Sequence, residues 1–145
     1  MRRMMLIVSL LIALAAMATP ESTRAQPADA CSLGQKSNVA ISESASAVVI
    51  PGQAGRRTFL CFVFLGTAGA QNISIVEGTG TVCATNQLII MGGPGATGPA
   101  SQANGTFTLG NGGATIGFST VIGNDVCLLQ SAAGLVAGNM IYVRQ

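Results

Sequence analysis

Residues 57–83 read RTFLCFVFLGTAGAQNISIVEGTGTVC, and the rest of the chain can be laid against them. Residues 59–65 are an unbroken apolar run rich in phenylalanine, closed by the Gly-rich connector 66–70. The stretch QNISIVE (71–77) then alternates apolar and polar residues up to a tight turn at Gly78-Thr79-Gly80. This spacing predicts a central strand, a hairpin connection and a partner strand. On a regular pleat Phe59, Cys61, Val63 and Leu65 share one face, and Leu60, Phe62 and Phe64 share the other. Both faces are apolar. Such a strand is either covered on both sides or keeps one side for another subunit.

Outward from this pair, the same reading finds more short strands. Val39 and Ile41 alternate within NVAIS, and Val48-Val49-Ile50 ends at the Pro51-Gly52 turn. QLIIM (87–91) is a buried-type strand, and 92–100 reads as a mobile surface loop. Phe107 and Leu109 share a face before the hairpin signal Asn111-Gly112-Gly113. Ile116 and Phe118 alternate with small and polar residues, Val126 to Leu129 forms a further strand, and 139–144 forms the last. No segment of the exported part holds a helical period over three turns. About eight or nine short strands between turns indicate an all-β fold, an antiparallel β-sandwich or jelly-roll-like barrel.

The first residues belong to a different class. Arg2 and Arg3 precede the uncharged apolar run 4–17, and small-residue cleavage patterns end at Ala18 and at Ala25. The run is shorter than the roughly 20 residues needed to cross a bilayer. It reads as a signal peptide over 1–25, cut after Ala25 in preference to Ala18. An extended arm (26–36) and a β-sandwich domain (37–145) follow. The expected destination is export to periplasm, cell surface or medium, with no membrane span in the mature form.

The whole chain carries a formal charge of +2. Without the leader, its bases are Lys36, Arg56, Arg57 and Arg144, and its acids are Asp29, Glu43, Glu77 and Asp125. Clustered bases that face phosphates drive nucleic-acid binding; here only Arg56 and Arg57 are adjacent, which argues against nucleic acid. Near-zero net charge removes the repulsion between copies, so self-association into a homo-oligomer is expected.

Four cysteines in a short exported chain read as two disulfides. A zinc site is the competing reading, but no C-x-x-C knuckle is present. Of the three pairings that four cysteines allow, the expected one is Cys31–Cys61, tying the arm to the central strand, with Cys83–Cys127 tying the middle to the C-terminal strands.

Chemistry is constrained mainly by absence. The chain has no histidine, which removes Ser-His-Asp and Cys-His nucleophiles and every histidine-containing metal site. Glu43, Glu77 and Asp125 are the acids beyond the arm, and paired-carboxylate catalysis would need two of them to converge. Glu77, beside a glycine turn, is the most accessible of these on the sequence, with structural salt bridging as its expected role. Residues 93–98 match G-x-G-x-x-G literally, but Pro99 follows where the dinucleotide mechanism needs a helix N-terminus. The sequons at Asn72 and Asn104 are read as compositional, and one tyrosine with no tryptophan leaves no aromatic platform for a sugar. No catalytic residue, metal or cofactor is expected.

Three further pieces carry a resemblance. Gly78-Thr79-Gly80-Thr81-Val82-Cys83, then Asn124-Asp125-Val126-Cys127-Leu128, then Met140-Ile141-Tyr142-Val143 are similar to segments of a loose group of small exported or phage-associated, Gly/Thr-rich β-sandwich proteins. The resemblance supports the sandwich and the Cys83–Cys127 pairing, and it implies no activity. The leading expectation is thus an exported, self-associating structural or interaction protein, a surface or virion-associated building block or adhesion module, with Phe62, Phe64 and Tyr142 at its interface. The alternative is a small ligand-binding module using loops 92–100 and 110–113, with a pocket lined by Asn104, Asn111 or Glu77.

Overall fold

The computed structural model describes residues 29–145. The signal-peptide reading and the first residues of the arm lie outside them. The described part is built almost entirely of antiparallel strands in two sheets. In chain order these are β1 (Lys36–Glu43), β2 (Ala47–Ile50), β3 (Thr58–Thr67), β4 (Gln71–Thr79), β5 (Thr85–Met91), β6 (Ala100–Ser101), β7 (Thr106–Leu109), β8 (Gly117–Phe118), β9 (Asp125–Gln130) and β10 (Val136–Arg144). The segment read as an extended arm contains one helical turn, α1 (Ala30–Leu33), capped by the Asp29 carboxylate on the Cys31 amide. A 3-10 turn, Thr81–Cys83, follows β4.

The first sheet runs β1-β10-β3-β7, with β8 continuing beside β3, and the second runs β2-β9-β4-β5, with β6 beside β4. The pairings nest: β1 with β10, β2 with β9, β3 with β7 and β8, β4 with β5. The two halves of the chain thus form one long folded-over ribbon. It is rolled so that β10 also meets β3 and β9 also meets β4.

Between the sheets lies an aliphatic core. Ile41, Ile50, Leu60, Val63, Leu65, Ile73, Ile75, Val126, Leu128, Val136 and Met140 are all buried there. Alternation on strands of both sheets supplies it, because every second side chain faces the opposite sheet. Burial of this kind contributes roughly 25 cal/mol for each Å² of apolar surface.

Neither disulfide lies in that core. Cys31–Cys61 packs with Val143, Phe59 and Ile141 under α1, on the outside of the first sheet. Cys83–Cys127 packs with Val76, Leu129, Val82 and Ala96 on the outside of the second. Each bridge pins a local segment onto the back of one sheet. Such bonds belong to an oxidising environment. No helix among the described residues is long and apolar enough to cross a membrane.

Candidate interaction surface

The central strand departs from simple alternation at one residue. Phe62 pairs with Ile141 and Leu60 pairs with Tyr142, which leaves Cys61 as an extra residue opposite no partner. A bulge of this kind shifts the pleat by one. Leu60 is therefore in the core with Val63 and Leu65, while Phe59, Phe62 and Phe64 turn outward. This corrects the faces expected from the sequence, which put Leu60 with Phe62 and Phe64. Cys61 itself is free to reach Cys31.

The outer face of the first sheet consequently carries an aromatic stripe. Phe59 stacks on Phe118 of β8 with ring centroids 5.7 Å apart. Phe62 and Ile141, opposite each other on β3 and β10, are half-buried. Phe64 remains 38% exposed and Phe118 45% exposed. Beyond Phe64 the face falls away into an open groove of about 420 Å³, lined by Gly66, Ala68, Leu135, Ala137 and Gly138 among others. Small residues on β3 and β10 leave this hollow, because nothing there projects as far as the phenylalanine rings.

Tyr142 does not join the stripe. It pairs with Leu60, packs against the inter-sheet core, and its ring lies beneath the Arg144 guanidinium at 5.2 Å. Met140 and Tyr142 face inward and Ile141 and Val143 outward, so the half-buried Tyr142 lies on the other face of the first sheet from Phe62 and Phe64.

Glu77 is also placed differently from the sequence reading. It sits opposite Val126 on the inner side of β4 and is 1% exposed, so the glycine turn beside it does not open it to solvent. Its carboxylate accepts from the Thr120 amide (2.6 Å) and hydroxyl, the Val121 amide (3.1 Å) and the Asn124 side-chain amide (3.2 Å). These donors are neutral, so the expected salt bridge is replaced by a cradle of dipoles. All the donors belong to the 119–124 loop, and the carboxylate's role is to hold it. Asp125 is occupied likewise, accepting from the Gly52 amide at 2.7 Å.

The two loops of the ligand-binding reading lie against strands of different sheets. Gly92 and Gly98 lie against Ser74 and Ile73 of β4, so 92–98 covers the back of the second sheet. Gly98 must be glycine there: a Cβ would stand 1.8 Å from the Ile73 carbonyl oxygen. The segment read as mobile is held at Pro99, whose carbonyl accepts from Ile73, and continues into β6. Residues 110–113 instead fold against Cys61 on the first sheet, where the Gly112 amide donates to the Cys61 carbonyl. Asn111 closes its own turn through the Gly113 amide, and Asn104 lines the groove beyond Phe64.

Among the described residues no group of three or more potential ligands could hold a metal ion. Comparison with known proteins finds no matching family, no matching curated protein and no matching solved structure.

Proposed function

We propose that this chain is an exported structural or interaction protein, without a catalytic role, that associates with copies of itself through the outer face of the first sheet. The observation that carries this reading is the aromatic stripe centred on the half-buried Phe62 and the exposed Phe64, beside an open groove. An apolar patch of this sort on a sheet face suits burial against a partner. The low charge of the chain leaves little repulsion to oppose it. Export is supported by the leader-like N-terminus and by two closed disulfides.

The nested pairing supports reading the sandwich as an eight-stranded jelly roll with two small extra strands, an architecture that recurs in capsid and lectin domains. Architecture alone assigns no role, so the face is what must be tested. Light scattering after size exclusion on the non-reduced protein should give a discrete oligomer or polymer, and Phe62→Ser with Phe64→Ser should return it to a monomer. A wild-type monomer at high concentration would sink the reading.

A further inference from the structure

All the bases of the described chain, Lys36, Arg56, Arg57 and Arg144, lie at one end of the sandwich. Lys36 is opposite Val143 on the neighbouring strand, one residue from Arg144. Arg57 exchanges backbone hydrogen bonds with Gln145, and the Arg56 guanidinium donates to the Arg144 carbonyl at 3.3 Å. Arg144 donates to the Pro51 carbonyl and the Gln53 side chain. The guanidinium contacts are with neutral oxygens. Two carboxylate side chains of this end are held by neutral donors, Glu77 in its buried cradle and Asp125, half-buried, on the Gly52 amide. Lys36, Arg56 and Arg57 are exposed here, and the nearby exposed Asp29 is engaged by the Cys31 and Thr115 amides.

The same end also shows aliphatic side chains to water. Val121 is 44% exposed and Ile122 55% exposed. Their loop is sewn to the arginine loop, since the Gly123 amide donates to the Arg56 carbonyl at 3.0 Å and the Ser119 amide to Thr58 at 2.8 Å. Leu33, 74% exposed, projects from the turn whose Gly34 lies against Val143. The loop tip is fixed from inside, because the buried Glu77 carboxylate binds the amides of Thr120 and Val121 directly before Ile122.

We propose that this end docks on an anionic lipid surface, with Val121 and Ile122 entering the headgroup boundary and the exposed Lys36, Arg56 and Arg57 meeting the lipid phosphates. Bases alone would suit any polyanion. Apolar side chains held out among them fit a surface with hydrocarbon beneath its charge. Glu77 holds the tip in place through the Thr120 and Val121 amides.

The test is sedimentation of the disulfide-bonded protein, purified after export, with phosphatidylcholine vesicles containing roughly one-third phosphatidylglycerol, and with phosphatidylcholine alone. Binding is expected on the anionic vesicles only, falling as salt is raised. Arg56→Gln with Arg57→Gln should weaken it about fivefold for each arginine. Val121→Ser with Ile122→Ser, which keeps the amides that Glu77 holds, should weaken it by about tenfold or more. Both pairs are exposed and should unfold in urea as the parent does, and Phe62→Ser with Phe64→Ser should bind vesicles as the parent does. Failure to sediment with anionic vesicles, or equal binding to neutral ones, would overturn the proposal. Full binding by the Val121/Ile122 variant together with displacement by heparin would overturn it in favour of an anionic polymer.

Discussion

Glu77 shows what one side chain can do when its neighbours are backbone amides. A carboxylate inside a sandwich is costly unless its oxygens are satisfied, and here the 119–124 loop satisfies them. Glu77→Ala would take the acceptor from four donors, the buried Asn124 amide among them, and should cost roughly 3 kcal/mol in a urea titration. Glu77→Gln keeps one acceptor oxygen and should cost less. Asp29 gives the matching case at the surface. Hydrogen bonds from Thr115, amide and hydroxyl, hold its carboxyl below the usual carboxylate range, with help from the Cys31 amide. A folded-state pKa lowered in this way adds stability above the unfolded value, and that stability is lost as pH falls through the folded one. Melting curves of wild type and Asp29→Asn should therefore differ at neutral pH and converge in acid. Wild type melting no higher than the variant at neutral pH would refute the clamp.

Strand β3 packs the core with one face and turns phenylalanines outward with the other because of one extra residue. Without the bulge at Cys61, a phenylalanine would occupy the core position that Leu60 fills, and the disulfide would point between the sheets. The consequence is measurable side by side. Leu65→Ala should cost about 3 kcal/mol, as a truncation in the core does, while its neighbour Phe64→Ser should cost about 1 kcal/mol or less. Equal losses at the two positions would mean that Phe64 is covered. The turn after β4 is the other element with its own demands. Val82 and Cys83 both take positive φ, 50° and 55°, values uncommon outside glycine and more so for the β-branched Val82. The bridge to Cys127 and the packing of Val76 and Leu129 keep them there.

Across the whole molecule, the first long strand is closed by the last. β1 and β10 pair along their full length, and β10 is also the neighbour of β3. Deleting Val136–Arg144 would strip β1 of its partner and the core of Val136 and Met140. The shortened chain should show no cooperative unfolding transition by near-ultraviolet circular dichroism. A surviving transition would mean that the second sheet and its bridge fold independently. The molecule is also divided in its exterior. Aromatic residues occupy the back of one sheet, and bases with aliphatic tips occupy one end. Association between copies and docking on a charged surface would therefore use separate regions.

The strand pattern, the turns and the sandwich were legible in the sequence, because alternation and glycine signals act over a few residues. The cysteine partners were legible only as the choice among possible pairings that the resemblance and the strand layout favoured. Phe62 and Phe64 were recognisable as outward candidates for the same local reason. What no local pattern carries is the register between distant strands. A single bulge reverses every later side chain, so the position of Leu60 was decided by β10, about eighty residues away in the chain. Tyr142 turned inward through the same pairing. Glu77 looked exposed because its turn is glycine-rich, but a loop over forty residues later closed over it. The lone bases, scattered along the sequence, met at one end only when the strands brought the 51–57 loop, the start of β1 and the end of β10 together. Composition and periodicity determined which residues could make a sandwich; long-range pairing decided which of them met the solvent.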